Sequence, residues 1–166
     1  REAAEEFLPV ISKALGENHV KVRGTREVAE IIPCEIMEED AFDTEYLDLV
    51  LSVKLVDSVQ EAVEHINRFG SHHTDCIITE NRDTALTFMQ LVDSAGVYQN
   101  CSTRFADGFR YGFGAEVGIS TGKIHARGPV GLEGLVTYKY KLFGSGQIVG
   151  DYAGGKKQFH FKDLEA

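Results

Sequence analysis

Segments with strand and helix patterns alternate between Val20 and Tyr98, and this alternation limits the fold more than any other feature of the chain. Apolar and β-branched residues predict the strands, and amphipathic spacing predicts the helices between them. Because the connections are short, the order is typical of βαβ units, in which strands lie parallel. We therefore predict an α/β fold with a mostly parallel sheet, whose strands lie at residues 19–23, 46–56, 76–79 and 95–98.

The helices of this pattern have recognisable ends. A first helix is predicted over residues 2–15, and Pro33 is expected to end a short second one. Three helices follow residues that commonly cap helix starts, namely Thr25, Ser58 in an S-x-x-E pattern with Glu61, and Asn81. The acidic residues 35–44 are expected to form a connection.

Composition limits the kind of partner. The chain has 166 residues, 43% of them apolar and 26% charged, which is ordinary for one globular domain or part of one. A net charge of −9 argues against a nucleic-acid partner, because binding a phosphate backbone needs a large basic surface. No apolar run is long enough for a membrane span. Three cysteines without C-x-x-C spacing favour free thiols in a reducing compartment, either the cytoplasm or the mitochondrial matrix.

Residues 97–141 form a glycine-dense island whose charge is opposite to that of the rest of the chain. The island holds 8 of the 17 glycines, and its six cations and three anions give it a charge of +3. Glycine lets backbone N–H groups approach a ligand closely, and the Arg guanidinium fits carboxylate or phosphate. The island also begins at the carboxyl end of a predicted strand, where ligands of parallel sheets bind. A small-anion site and a surface loop that binds nothing both fit this pattern.

The island contains three motifs that occur together in one enzyme family. They read NCSTRFADG at residues 100–108, GAEVGIST at 114–121 and HARGPVGLEGL at 125–135, and a further segment containing H-T-D lies at residues 56–77. In this order and spacing they closely resemble γ-glutamyl phosphate reductase, also called glutamate-5-semialdehyde dehydrogenase, of the aldehyde dehydrogenase superfamily. The resemblance extends from Glu6 to Val149 and implies an aldehyde-dehydrogenase-like catalytic domain.

The resemblance also implies a reaction. In this family NADPH reduces γ-glutamyl phosphate to glutamate-5-semialdehyde, a step of proline biosynthesis. Such a reduction needs a thiolate that forms a thioester, a hydride donor, and groups that hold the departing phosphate. The family's nucleophilic Cys belongs to a C-N-A-x-E-T motif that would precede this sequence, as would the dinucleotide-binding domain. Residues 1–135 are therefore expected to be a partial catalytic domain, and the chain alone is expected to be inactive.

Four residues become candidates for binding sites through the resemblance. Glu45 falls where aldehyde dehydrogenases place the Glu of E-I-F-G-P, which binds the hydroxyls of the nicotinamide ribose. The residues after Glu45 depart from that motif, and a solvated Glu in an acidic segment is the alternative. Ser102, Thr103 and Arg104 fall in the loop that lines the substrate entry, and their groups suit a carboxylate or phosphate. The alternative is a loop whose Ser and Thr cap the next element.

Other polar residues of the island have simpler interpretations. Asp107 with Gly108 is expected to fix a turn. His125 and Arg127 either add positive potential or pack a turn. Cys101 replaces the Ala that is usual in the family motif N-A-S-T-R-F, and it is expected to be a neutral replacement rather than the nucleophile.

The adjacent residues His72 and His73 do not predict a metal site. Neighbouring side chains point in different directions, and no set of Cys or carboxylate residues accompanies them. The reaction implied by the resemblance needs no metal either.

The C-terminal part is expected to serve assembly. Residues 136–149 alternate in polarity, and the resemblance implies a strand that pairs with a neighbouring subunit and builds a homo-oligomer. An intramolecular hairpin around residues 144–146 is the alternative. Residues 150–166 are expected to form a polar tail, similar to that of the eukaryotic bifunctional pyrroline-5-carboxylate synthase, in which a glutamate kinase precedes the reductase. The competing interpretation of the whole chain is a non-catalytic α/β module for metabolite binding or oligomerisation.

Overall fold

The structure is a computed structural model that describes residues 2–160, apart from the side chain of Glu2. The described residues divide into two compact units, with the boundary between Leu135 and Val136. This boundary falls inside the glycine-dense island. None of the helices within residues 2–160 is long and apolar enough to cross a membrane.

Three short parallel strands form the first sheet. Helix α1 (Glu2–Glu17) leads into β1 (Lys21–Gly24), and α2 (Arg26–Ala29) connects β1 to β2 (Glu35–Ile36). Strand β3 (Val50–Val53) pairs with the other side of β1, so that both neighbours of β1 run parallel to it. The predicted alternation of strand and helix is confirmed in this part of the chain.

The prediction that residues 35–44 form only a connection is wrong at Glu35 and Ile36. These residues pair in parallel with Arg23 and Gly24. The Arg23 guanidinium also donates a hydrogen bond to the Glu35 carboxylate at 2.6 Å. An acidic segment is a weak signal for a strand, because strand propensity mainly reflects packing on a half-buried surface. Here an ion pair accompanies the backbone hydrogen bonds of the edge strand.

The second sheet has two parallel strands, each preceded by a helix. Helix α3 (Val59–Phe69), β4 (Thr74–Ile77), α4 (Arg82–Leu91) and β5 (Gly96–Gln99) follow one another in the predicted order. All four residues of β4 pair in parallel with β5. The predicted α/β class with mostly parallel strands is therefore confirmed, although the strands form two small sheets instead of one.

Two of the three predicted helix caps are formed. The Ser58 hydroxyl accepts from the Glu61 N–H at 3.1 Å, and the Asn81 side chain accepts from the Thr84 N–H at 3.0 Å. Thr25 precedes α2 as predicted, but its side chain makes no capping bond, and its buried Oγ1 has no hydrogen-bond partner among the described residues. Caps of this kind offset the unpaired N–H groups at a helix start.

The largest core cluster lies between the helices and one face of the second sheet. Val63, Phe88 and Val92 are buried, and Ile77 of β4 and Val97 of β5 pack against them. Complete burial of one such side chain stabilises a fold by roughly 1.5–3 kcal/mol. This cluster therefore holds α3 and α4 on one face of the sheet.

Residues 101–111 of the glycine-dense island contact the other face of the second sheet. Side chains alternate along a strand, so Cys76 and Tyr98 point away from the helices. The Cys76 thiol donates to the carbonyl oxygen of Cys101 at 3.1 Å, and the hydroxyls of Tyr98 and Tyr111 are hydrogen-bonded. The second sheet thus has a helical layer on one side and residues 101–111 of the island on the other.

An ion-pair cluster ties the island to the second sheet. The island contains an antiparallel hairpin of β6 (Gly118–Ser120) and β7 (Gly128–Val130). Next to this hairpin, Lys123 and Arg127 donate to the Asp93 carboxylate at 2.5 Å and 2.9 Å. Hydrogen bonds from Lys123 and then Arg127 hold the pKa of the Asp93 carboxyl below its ordinary value. Because Asp93 connects α4 to β5, these bonds fix the hairpin on the sheet.

The second unit has little regular structure in its described part. Residues 136–148 contain no strand, and their large apolar side chains are exposed. The hairpin around residues 144–146 is therefore not formed within this chain. Helix α5 (Val149–Ala153) follows, so the first residues of the predicted polar tail are helical. Residues 161–166, the end of that tail, lie outside the described residues.

Candidate functional site

Asn100 fixes the loop after β5 to the loop after β4. Its Oδ1 accepts from the Thr79 N–H and its Nδ2 donates to the Thr79 carbonyl, each at 2.9 Å. The Asn100 N–H donates to the carbonyl of Ile77 at 2.9 Å. Asn100 has φ 52°, in the left-handed region that Asn tolerates better than most residues. The carboxyl ends of the two strands are thus joined by side-chain and backbone hydrogen bonds.

Ser102, Thr103 and Arg104 follow Asn100 in the same loop, where a 3₁₀ helix spans Thr103–Phe105. The Ser102 hydroxyl accepts from the Arg104 N–H at 3.2 Å, so Ser102 caps that helix. The side chains of Thr103 and Arg104 are exposed. The Arg104 guanidinium makes no hydrogen bond or ion pair with any other described residue. It therefore remains available for a ligand.

Asp107 and Gly108 form the tight turn that the sequence predicts. Asp107 Oδ1 accepts from the N–H groups of Phe109 and Arg110 at 2.8 Å and 3.0 Å, and Oδ2 pairs with the Arg110 guanidinium at 2.9 Å. These contacts, led by the Arg110 N–H, hold the pKa of Asp107 below its ordinary value. Gly108 has no space for a side chain, since an added Cβ would lie 2.2 Å from the carbonyl oxygen of Ala115.

An open cleft of about 490 Å³ brings part of the predicted loop together with other polar groups. Its walls come from the start of β4, the 3₁₀ helix, the Asp107 turn and the segment that leads into β6. Its polar lining side chains are those of Ser71, His73, Thr74, Thr103, Arg104, Asp107, Arg110 and Glu116. Ser102 does not line this space. We call it the mixed-charge cleft, because it contains two guanidinium groups and two carboxylates.

Glu116 is a site residue that the sequence analysis missed. Its Oε2 accepts from the Gly108 N–H at 2.8 Å, which holds the carboxylate against the Asp107 turn. The second carboxylate oxygen accepts no hydrogen bond from the described residues. The only sequence signal for this role is that Glu116 is the single carboxylate of the motif GAEVGIST. Its hydrogen-bond partner Gly108 lies eight residues earlier in the sequence.

Glu45 lies apart from the mixed-charge cleft. It is exposed in the connection before β3, in the first sheet. The next residue, Tyr46, is held by a hydrogen bond to the Ser52 hydroxyl at 3.2 Å and by the Arg23 guanidinium, 5.2 Å from its ring centroid. The candidate cofactor residue therefore precedes a strand of the first sheet, whereas the candidate substrate residues follow a strand of the second sheet. The cofactor role of Glu45 stays a prediction.

The two adjacent histidines bind different partners. His72 Nδ1 donates to the carbonyl of Asp93 at 2.7 Å, since a carbonyl oxygen can only accept. His73 Nδ1 contacts the Thr74 hydroxyl at 2.7 Å. Within residues 2–160, no group of three or more His, Cys, Asp or Glu side chains is arranged to hold a metal ion.

The three cysteines are free thiols. Cys101 is exposed at a bend between Asn100 and the 3₁₀ helix, and Cys34 is partly buried, which raises the pKa of its thiol. Cys76 is engaged with the backbone of the Cys101 loop, as described above. The expectation that Cys101 is a neutral replacement stays a prediction.

The H-A-R-G-P motif contributes to a second cavity of about 400 Å³. Its lining includes Phe113, Arg127 and residues 129–134. Close packing requires glycine here, because a Cβ added to Gly131 would lie 2.7 Å from the Cβ of Phe113. Arg127 is engaged in the ion pair with Asp93, so its guanidinium packs the turn. His125 is exposed.

No protein-family profile matches the chain. Curated relatives nevertheless match nearly all of it. The γ-glutamyl phosphate reductase 1 of Synechocystis sp. is 60% identical over 162 residues, which are 97% of this chain and 37% of that protein. The γ-glutamyl phosphate reductase of Acetivibrio thermocellus is 58% identical over 156 residues, which are 94% of this chain and 36% of that protein. The chain thus spans a little over a third of the length of these relatives.

A solved structure has the same fold. The γ-glutamyl phosphate reductase of Thermotoga maritima superposes on the chain with a TM-score of 0.85 at 48% sequence identity. The superposition covers 89% of this chain and 36% of that one. Sequence and fold therefore agree on one enzyme family.

Proposed function

Because the chain belongs to the γ-glutamyl phosphate reductase family, we propose that it works as a C-terminal segment of such an enzyme. The longer protein reduces γ-glutamyl phosphate to glutamate-5-semialdehyde with NADPH, a step of proline biosynthesis. The observation that carries this proposal is the 60% identity over 97% of the chain. The proposal is also supported by the fold and the motifs that the chain shares with this family. The Arg104 guanidinium, which forms no ion pair with the described residues, supports it as well.

The reaction needs groups that this chain does not supply by itself. We place the nucleophilic Cys, which forms a thioester with the glutamyl group, in the part of the polypeptide upstream of this segment. Most of the NADPH site is placed there too, and the cofactor supplies the hydride. Glu45 fits a supporting role, because its exposed carboxylate can accept hydrogen bonds from two ribose hydroxyls. The isolated chain is accordingly inactive, which agrees with the small share of the relatives that it spans.

The chain's own contribution is substrate binding by the loop at Ser102, Thr103 and Arg104. Ser102 shapes the loop through its cap, and Thr103 and Arg104 present a hydroxyl and a guanidinium to the mixed-charge cleft. A guanidinium binds a carboxylate or a phosphate through two parallel hydrogen bonds, which fixes the orientation of the ligand.

Residues 136–149 are proposed to build the homo-oligomer. The exposed side chains here include Tyr138, Tyr140, Leu142 and Phe143, of which the last is 95% exposed. A segment with a row of exposed apolar side chains can add a strand to the sheet of another subunit. Removal of all residues from Val136 onward should reduce the particle size of the longer protein in light scattering. An unchanged size would rule out this role.

Two finer assignments stay predictions. One is the origin from a bifunctional pyrroline-5-carboxylate synthase with a glutamate kinase, since the relatives described above are named as reductases alone. The other is the reducing compartment, whether cytoplasm or mitochondrial matrix, which the free thiols favour.

Genetic complementation tests the proposed function. A bacterial strain that requires proline because it lacks this reductase would receive either the longer protein or the 166-residue chain. We expect growth without proline only with the longer protein. Failure of the longer protein, when it is expressed and folded, would contradict the proposed reaction. Growth with the chain alone would contradict the upstream position of the nucleophile.

A further inference from the structure

The mixed-charge cleft contains one cation and one carboxylate that form no ion pair with the residues the structure describes. Of its four charged groups, Asp107 and Arg110 form an ion pair at 2.9 Å. The Arg104 guanidinium forms no hydrogen bond or ion pair with the described residues, although its charge helps to lower the pKa of Asp107, and the Glu116 carboxylate uses one oxygen to accept from the Gly108 N–H. No ion pair joins Arg104 to Glu116. Two opposite charges are thus separately available to a ligand in one space of about 490 Å³.

The Glu116 carboxylate and the backbone of Arg104 are held in place before a ligand arrives. Gly108 holds Glu116 through its N–H, and the tight fit of Gly108 against Ala115 prevents the turn from carrying a side chain there. The Arg110 guanidinium donates to the carbonyl of Arg104 at 3.2 Å, which fixes the backbone that carries the free guanidinium. Such preorganisation increases affinity, because less conformational freedom is lost on binding.

The charges of the cleft favour a zwitterion over a phosphate. A phosphate dianion beside Arg104 would lie in the same cleft as the carboxylates of Asp107 and Glu116, and like charges repel. An α-amino acid carries an ammonium and a carboxylate on one carbon, and so matches one open anion and one open cation. The size of the cleft is within the usual range for small-molecule sites.

We propose that the mixed-charge cleft binds the α-amino acid end of the substrate, with Glu116 receiving the α-ammonium and Arg104 the α-carboxylate. This inference rests on the proposed function, whose substrate is a glutamyl compound. Arg104 then binds the α-carboxylate of the substrate rather than its phosphate. The acyl phosphate points out of the cleft, toward groups contributed by the rest of the longer protein. Glu116 becomes a specificity-determining residue.

The direct test is the binding of three small molecules to the chain, followed by nitrogen-15 NMR. L-Glutamate carries both charges, glutarate lacks the α-ammonium, and 4-aminobutyrate lacks the α-carboxylate. We expect amide shifts around Thr103, Gly108 and Glu116 with L-glutamate. Each of the other two should bind about tenfold more weakly or worse, because each loses a charge-assisted hydrogen bond. Equal binding of L-glutamate and glutarate, or shifts confined to residues 129–134, would overturn the proposal.

Two variants separate the two charges. Glu116→Gln keeps an oxygen that accepts from Gly108 but removes the negative charge, so L-glutamate should lose its advantage over glutarate. Arg104→Gln should remove the advantage of L-glutamate over 4-aminobutyrate. Matched controls are Glu133→Gln, an exposed carboxylate of the island outside the cleft, and Arg82→Gln, an exposed cation on α4. Both controls should bind all three ligands as the unmodified chain does, and loss of discrimination in a control would contradict the assignment.

The same variants in the longer protein give a second measurement that does not depend on how the segment folds alone. Glu116→Gln should raise KM about tenfold with little change in kcat, since it removes an interaction made equally in the ground and transition states. An unchanged KM would overturn the proposal. Because binding needs no turnover, L-glutamate selectivity without reductase activity would refute only the proposed function. Activity without selectivity would refute only the role of the cleft.

Discussion

The Asn100 side chain joins the carboxyl ends of β4 and β5, and its contribution to the free energy of unfolding can be estimated from its hydrogen bonds and backbone conformation. Replacement by Ala removes both hydrogen bonds to Thr79, which at this exposed position contribute about 0.5–1 kcal/mol each. It also places Ala at φ 52°, and the left-handed region costs an ordinary residue roughly 1–2 kcal/mol. We therefore expect Asn100→Ala to lower the free energy of unfolding by about 2–4 kcal/mol, and Asn100→Gly to lower it by about 1–2 kcal/mol because glycine tolerates this backbone conformation.

Asn67 supplies a matched control. Its side chain also makes two hydrogen bonds to backbone groups, donating to the Leu91 carbonyl at 2.9 Å and accepting from the Asp93 N–H at 2.7 Å. Asn67 lies within α3, where Ala is favourable, so Asn67→Ala should cost only about 1–2 kcal/mol. Urea unfolding followed by circular dichroism measures all three variants. The reasoning is refuted if Asn100→Gly is as destabilising as Asn100→Ala, or if neither differs from the unmodified chain.

Two further predictions concern the turn next to the cleft. Gly108→Ala should destabilise the chain by about 2 kcal/mol or more, because the new Cβ meets the carbonyl oxygen of Ala115, whereas Gly118→Ala, which has open space, should be tolerated; equal unfolding midpoints in urea would contradict this. The pKa of Asp107 is lowered by the N–H of Arg110, so the ionised carboxylate stabilises the fold. This stabilisation is complete above the pKa of about 3.9 that Asp has in the unfolded chain, and it is lost as pH falls through the lower pKa of the folded chain. Asp107→Asn should therefore weaken the loss of stability in urea titrations below about pH 5, and an unchanged acid dependence would exclude this contribution.

Sequence patterns predicted the structure correctly where it depends on contacts between residues that are close together in the sequence. The caps at Ser58 and Asn81 were predicted because each bond joins residues three apart. The helical and strand periods likewise identified β1, β3, β4 and β5, but not their division into two sheets. Strand β2 was missed, because Glu35 and Ile36 are defined by pairing with Arg23 and Gly24 rather than by their own composition.

The site was predictable only in part, since its geometry depends on contacts between distant segments. The sequence placed ligand binding at the carboxyl end of β5, but Asn100 closes that end by its bonds to Thr79. The 3₁₀ helix instead places Arg104 at the mixed-charge cleft, which Thr74, the first residue of β4, also lines. Glu116 reaches this cleft through a hydrogen bond that no sequence motif encodes. Which charges of the cleft lack an ion-pair partner depends on the ion pair between Asp107 and Arg110, and no sequence motif encodes that pair.

We propose that this chain is one segment of a reductase whose nucleophilic thiol lies upstream, and the reaction run backwards tests this proposal most directly. Pyrroline-5-carboxylate, the cyclised form of glutamate-5-semialdehyde, is supplied with NADP and phosphate, and NADPH formation is followed by its absorbance. We predict turnover by the longer protein and none by the 166-residue chain. Turnover by the chain alone would contradict the account, and Cys101 would then be the first residue to replace.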